Sequence, residues 1–132
     1  MIESGLLTLI GADGTIAGIV STRIWGKQAP QDPDMPYLIL TIVDTEGLYD
    51  ASDEQDLIPL RIQIDGYAES YAGVITLMRA VRALLSGYSG AAGDETIQGA
   101  FMRSQKDMDQ ESTGFHRRMQ EYEMFYKEAL PD

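Results

Sequence analysis

The 132-residue sequence contains no cysteine and only one histidine, His116. Without cysteine the chain can form no disulfide, no thiolate metal site and no cysteine nucleophile. A single histidine also excludes a site with several histidine ligands, and its place beside two arginines is typical of a structural or surface residue. No apolar run approaches the ~18 residues of a membrane-spanning helix, and the N-terminus lacks the basic start of a signal peptide. We expect a protein made in a reducing cytosol, with no membrane partner.

Positive charge is scarce, because 21 acidic residues face 10 basic ones and the net charge is −11. Proteins that grip nucleic acid gain affinity by neutralising phosphates with lysine and arginine. The charge balance here is the opposite of that pattern, which argues against direct binding of DNA or RNA. A negatively charged surface that DNA moves past without binding is an alternative that stays open.

Recognisable catalytic motifs are also missing. The chain has no Gly-x-Ser-x-Gly nucleophile elbow, and the glycines at 11 and 14 lack the Gly-Lys-Ser/Thr of a phosphate-binding loop. Asp50, Ser52 and Glu54 alternate like calcium ligands, but the glycine and the final glutamate of an EF-hand loop are misplaced or missing. No pair of carboxylates stands out from the rest. We therefore expect no enzyme activity, no metal site and no cofactor.

The patterning that is present predicts a single α+β domain over residues 1–132. With 44% hydrophobic residues, a chain of this length can bury roughly two-thirds of its unfolded surface. Apolar spacing predicts a short N-terminal helix over 2–10, stopped by a turn at 11–14, and a long helix over 70–85 with Ser70 as N-cap and Gly87 as its stop. We expect a largely antiparallel sheet with these two helices packed on it.

Residues 15–20 are expected to lead into a brief strand or edge at 23–25, and two longer strands are predicted after it in the first half of the chain. Residues 36–43 are apolar on both faces, which is typical of a strand buried on both sides. Residues 60–67 alternate, so one face of that strand should meet water or a channel. The loop between them makes a long hairpin and bunches six carboxylates: Asp44, Glu46, Asp50, Asp53, Glu54 and Asp56.

The last third predicts a second hairpin, with strands over 97–108 and 115–126 and a polar turn between them. A helix over 117–128 is a rival interpretation, but Tyr122, Met124 and Tyr126 keep a period of two and favour a strand. Residues 86–94, rich in glycine, alanine and serine, are expected to form a flexible connection.

A few residues are candidates for contacts. Trp25 is either a core or rim residue of the domain, or a residue that contacts a partner. The proline-broken arm over 26–36 is either a plain loop or a segment that reaches a neighbouring subunit. Arg117 and Arg118, with Arg103 and Lys106 on the facing strand, form a local excess of positive charge. They can pair across the hairpin with Asp107, Asp109 and Glu111, or meet carboxylates on the next subunit.

The order of elements and several short motifs together resemble the tail completion (tail terminator) proteins of long-tailed bacteriophages and prophages. The motifs are Arg23-Ile24 followed by Ala29-Pro30, Met35-Pro36-Tyr37 opening a strand, the strand from Arg61 to Gly66, the helical run Ala80-Val81-Arg82-Ala83-Leu84-Leu85, and Thr113-Gly114-Phe115-His116-Arg117. The resemblance covers about four-fifths of the chain.

This resemblance implies a structural virion protein with an α+β fold that forms a ring, commonly a hexamer. Such a ring caps the head-proximal end of the tail tube, ends tail polymerisation and joins tail to head. The implied partners are other copies of the chain, the tail tube protein and a head-neck connector protein, while DNA passes through without specific binding. The implied place is the tail–head junction of the virion, after assembly in the host cytoplasm.

Under this interpretation the contact residues are Trp25, Lys27, Pro30, Pro33, Arg117 and Arg118, and the acidic loop lines the lumen or faces the neck. Two alternatives stay open. One is a head-completion or neck adaptor protein, which shares the small size and ring assembly. The other is an acidic DNA-mimic inhibitor, although a mimic should spread its carboxylates over one face rather than bunch them in a loop.

Overall fold

The computed structural model of the chain describes residues 2–44, 57–110 and 114–127. These ranges hold three helices and six strands. In chain order they are α1 (Ile2–Ala12), α2 (Gly14–Val20), β1 (Ile24–Gly26), β2 (Tyr37–Asp44), β3 (Ile58–Ala68), α3 (Tyr71–Leu85), β4 (Gly90–Ala92), β5 (Glu95–Gln110) and β6 (Phe115–Lys127). The predicted α+β class is confirmed.

The strands form one mixed sheet in the order β1-β2-β3-β6-β5-β4. Pairing is antiparallel except between β1 and β2, which run parallel. The pairing of β2 with β3 and of β5 with β6 confirms both predicted hairpins, and β6 confirms a strand rather than a helix over its length. The antiparallel description needs the correction at β1, where a short parallel strand extends the sheet.

Helices pack on one side of this sheet, which we name the covered face. Its strand residues alternate with those of the opposite side, as the burial of β3 shows by its regular alternation up to Ile64. Contacts of α1 with both edge strands, β1 and β4, show that the sheet curls around the helix layer. Gly5 permits this because a β-carbon there would collide with the carbonyl of Ala92. The core therefore lies between the curled sheet and the helices.

The N-terminal region contains one helix more than expected. α1 ends at Ala12, but residues 14–20, expected to lead into a strand, form α2 instead. The missed signal is Asp13, an N-cap whose side chain accepts a hydrogen bond from the Ile16 N–H at 3.0 Å. Among the described residues, no single helix is long and apolar enough to cross a membrane; α1 and α2 meet that test only as a pair bent by 87°.

α3 begins and ends as predicted. The Ser70 side chain accepts a hydrogen bond from the Gly73 N–H at 3.0 Å, and Gly87 follows the helix with a φ of 77°. That positive φ is accessible to glycine at little cost. Beyond it, the segment expected to be a flexible connection contains β4, which pairs with the start of β5. Edge pairing thus orders a stretch whose composition suggested a loop.

β2 only partly matches the expectation of burial on both faces. Leu38, Ile39 and Leu40 are buried, whereas Val43 is 49% exposed near the end of the strand. The arm over 28–35 contains no helix or strand, as expected from its prolines. Its return to the sheet is held by Arg23, whose Nε donates to the Pro36 carbonyl at 2.9 Å.

Candidate interaction surface

The side of the sheet opposite the helices, which we name the bare face, carries a different set of residues. The core cluster in the described part of the chain takes its strand residues from the covered face, such as Leu40, Ile62 and Tyr122. Their neighbours along the same strands point to the bare face, because side chains alternate. Tyr37, Tyr67 and Arg117 lie there in register across β2, β3 and β6.

Four aromatic rings form a row across the bare face. Trp25 lies 5.7 Å from Tyr37 between ring centroids, Tyr37 stacks on Tyr67 at 4.5 Å, and Tyr67 lies 5.6 Å from Phe115. The row crosses β1, β2, β3 and β6, and all four residues are half-buried. Burial raises the pKa of the Tyr37 and Tyr67 phenols, and the nearby Arg117 acts in the opposite direction.

Arg117 is held beside this row by two interactions. Its guanidinium carbon lies 5.5 Å from the centroid of the Tyr67 ring, within cation–π range. Its Nε and Nη2 each lie 3.1 Å from Asp65 Oδ1. Asp65 is only 3% exposed, and its second oxygen accepts a hydrogen bond from Gln63 at 2.9 Å. The buried carboxylate is therefore satisfied on both oxygens.

Two further ion pairs make the bare face locally balanced in charge. Arg103 pairs with Glu123 across β5 and β6, and Arg61 Nε lies 3.4 Å from Glu121 across β3 and β6. With the pair at Asp65, three arginines face three carboxylates in a chain whose net charge is −11. Phe101, on the same face, is 58% exposed. Aromatic rings and balanced charge together suit contact with another protein.

Arg118, although next to Arg117 in sequence, lies on the covered side of the sheet. Its Nε and Nη2 donate to the two oxygens of Asp107 at 2.6 and 3.2 Å. The Tyr71 hydroxyl donates to Asp107 at 3.3 Å, and the Tyr71 ring lies 5.9 Å from the Arg118 guanidinium and 5.9 Å from His116. The hydrogen bond from Arg118 is the main cause that lowers the pKa of the Asp107 carboxyl.

These contacts settle the pairing of the cations on the second hairpin. Arg118 pairs across it with Asp107 and Arg103 pairs across it with Glu123, whereas Arg117 pairs with Asp65 on β3. The expected partner Asp107 is thus confirmed for one arginine only. The Asp109 side chain and residue 111 lie outside the described parts of the chain.

The other candidate residues are distributed between the arm and the loop. Lys27 and Pro30 are exposed, Pro33 is half-buried, and the Lys27 N–H donates to the Leu40 carbonyl at 2.8 Å. Of the predicted contact residues, the structure brings Trp25 and Arg117 into one surface. The acidic loop lies outside the described residues, which include only the backbone of its first member, Asp44, at the end of β2.

Sequence reasoning missed the residues that join Trp25 to Arg117, namely Tyr37, Tyr67, Phe115 and Asp65. Tyr37 and Tyr67 stand at the outer ends of the first predicted hairpin, so its register alone would have placed them opposite each other. Within the described ranges, no group of three or more histidine, aspartate and glutamate side chains could hold a metal ion. The surface is suited to protein contacts.

Comparisons with known proteins agree with this fold. The chain has the fold of a solved chain described as "Virion of native gene transfer agent (GTA) particle", with a TM-score of 0.68, 15% identity, and coverage of 92% of this chain and 91% of that one. No curated protein matches it in sequence. The family model described as "Tail completion protein gp17" matches residues 4–127. Since that match spans nearly the whole chain, the protein belongs to this tail completion family and has a structural role in the phage tail.

Proposed function

We propose that the protein forms a ring, a hexamer in its simplest form, at the head-proximal end of the tail tube. The ring ends tail polymerisation and joins the tail to the head, so the protein is located at the tail–head junction of the virion. The family match over residues 4–127 carries this proposal. Its partners are other copies of the chain, the tail tube protein and a connector protein of the neck.

The bare face is the surface we assign to contact between subunits. Six copies at −11 each sum to −66, so like charge opposes ring closure unless the contact surface is locally neutral. The three ion pairs of the bare face meet that requirement. Tryptophan, tyrosine, phenylalanine and arginine are enriched in protein interfaces, and Trp25, Phe101 and Arg117 supply such side chains.

The arm, Arg118 and the acidic loop complete the proposed contacts. Lys27, Pro30 and Pro33 belong to a segment that reaches the next subunit, and Arg118 acts by holding the shape of the second hairpin beside it. The acidic loop lines the lumen or faces the neck, where its carboxylates repel phosphates and let DNA pass without specific binding.

Deletion of the gene from the genome that encodes it, followed by electron microscopy of the lysate, tests the proposal. We expect filled heads lying apart from tails, with tails of irregular or excessive length. Tails of normal length beside unjoined heads would instead assign the protein to the neck as an adaptor. Intact virions in normal number would contradict both roles and favour an acidic inhibitor that mimics DNA.

A second test uses the purified protein. Self-repulsion predicts a monomer or weak oligomer in dilute low-salt buffer, and stronger association when salt or a divalent cation screens the charge. Sedimentation velocity over a range of salt concentrations measures this. A stable hexamer that is indifferent to salt would contradict the electrostatic argument.

A further inference from the structure

The outer side of α3 is a second surface, distinct from the bare face, and it is cationic. α3 contains no acidic residue but carries Arg79 and Arg82, both exposed. Among the described residues neither arginine takes part in an ion pair. The chain has a net charge of −11, so two adjacent guanidinium groups without a described ion-pair partner form a locally positive patch on an acidic protein.

Small side chains are exposed along the same helix. Ala72, Thr76 and Ala83 are exposed on the same helix, so a second backbone can approach the surface closely. Spacing of three places Arg79 and Arg82 as neighbours on the helix, with β-carbons about 5–6 Å apart. A pair of this size fits two carboxylates of a peptide segment. It is too small to hold DNA against the repulsion of an acidic chain.

A complementary pair of charges lies in the arm. Asp32 and Asp34 are exposed, and no described base pairs with either of them. Asp32 and Asp34 are two residues apart, so their Cα atoms lie at most about 7 Å apart, and the backbone turns at Asp32, whose φ is 52°. The side chains of two neighbouring arginines can span that separation. Pro30 and Pro33 restrict the free arm, so docking costs less conformational entropy.

We propose that Asp32 and Asp34 in the arm of one copy bind Arg79 and Arg82 on α3 of the next copy. This inference rests on the proposed ring and names a contact within it. Within one chain the end of the arm lines the same cavity as Ala72 and Thr76 of α3, but no described ion pair joins the two aspartates to the two arginines. The proposed contact between copies joins two different patches and is therefore heterologous. Heterologous contacts are the kind that close a ring.

Charge exchange in the encoding phage tests the contact. One double variant is Arg79→Glu with Arg82→Glu, and the other is Asp32→Lys with Asp34→Lys. We expect each to lower the yield of joined virions about ten-fold or more, because like charges then face each other at the contact. The four changes together restore opposite signs and should recover most of the yield. Thermal unfolding of each purified variant controls for folding. Normal yield from either double variant, or no recovery in the combined one, would overturn the proposal.

Cross-linking identifies the partner. Because the chain has no cysteine, Asp34→Cys with Arg79→Cys introduces the only two thiols. In oxidised particles we expect a ladder of disulfide-linked copies. A disulfide formed within a single copy, or no disulfide in particles that contain the variant, would overturn the proposal. The proposed ring fails separately, through the phenotype of the gene deletion, so the two failures are distinguishable.

Discussion

The covered and bare faces of the sheet are built from alternate residues of the same strands, but they differ in burial and in the kind of side chain they carry. On the covered face Ile62, Ile64 and Tyr122 are fully buried, and the helices complete the core around them. On the bare face Tyr67 and Arg117 stay partly open, with the Arg117 guanidinium bound to Asp65 and lying over the Tyr67 ring. Hydrophobic burial on one face stabilises the fold, while the other face carries partly exposed aromatic rings and balanced charge.

The largest expected effect on folding stability comes from truncating a buried side chain of the covered face. Ile62→Ala removes a fully buried side chain and should lower the free energy of unfolding by about 2–5 kcal/mol, since the lost burial is joined by a cavity. Chemical denaturation measures this. The matched control on the bare face is Phe101→Ala. A loss of similar size in the control would remove the distinction between the two faces.

An intermediate effect is expected at the buried carboxylate of the bare face. Arg117→Gln leaves Asp65, 3% exposed, without its cation and should cost about 1–3 kcal/mol of folding stability. Denaturation of the double variant with Asp65→Asn should show a smaller loss than the single change, because no unpaired charge then remains. Additive losses would show that Asp65 and Arg117 do not depend on each other.

A smaller effect distinguishes the tyrosines of the two faces. The Tyr122 hydroxyl donates to Gln120, whose amide donates to the Met78 carbonyl beneath α3. Tyr122→Phe leaves the Gln120 oxygen without this donor and should cost about 1–2 kcal/mol.

The same variant should also change the alkaline pH profile. Burial raises the pKa of the Tyr122 phenol, with Arg82 opposing. A raised pKa means that its contribution to stability is complete below about pH 10, the unfolded value, and is lost as pH rises further. Tyr122→Phe should therefore flatten the alkaline fall in stability more than Tyr37→Phe does. Equal flattening would contradict this difference between the faces.

The smallest effects on stability are expected at exposed residues of the bare face. Phe101→Ala should change the free energy of unfolding by no more than about 0.5 kcal/mol. Arg103→Gln, which breaks the exposed pair with Glu123, should change it by no more than about 1 kcal/mol. Under the proposed function, Phe101→Ala should still weaken association in sedimentation at screening salt. Unchanged association would exclude Phe101 from the subunit contact.

Local patterns predicted most of the long elements. α3 follows from apolar spacing with Ser70 as cap, and β3 and β6 follow from their period of two. Short elements were missed, because α2 depends on the single cap at Asp13 and β4 on pairing with β5. Three or seven residues carry too little periodicity to be recognised without their neighbours.

The candidate surface was only partly predictable for a related reason. Trp25 and Arg117 were selected by residue type, but their connection through Tyr37 and Tyr67 depends on strand register. The split of Arg117 and Arg118 to opposite faces follows from strand alternation, whereas the partner Asp65 lies 52 residues away in sequence. Residue type indicates what a side chain can bind, and register decides which side chains meet.

The sequence by itself determined the α+β class, both hairpins, the long helix and the acidic balance, because these depend on composition and on patterns within short windows. Its motifs also indicated the tail completion family. Only the tertiary structure decided that a parallel β1 widens the sheet, that the sheet curls until both edges meet α1, and that no helix in the described part of the chain covers the other face. Those features depend on contacts between residues far apart in the chain, whose geometry no local pattern specifies.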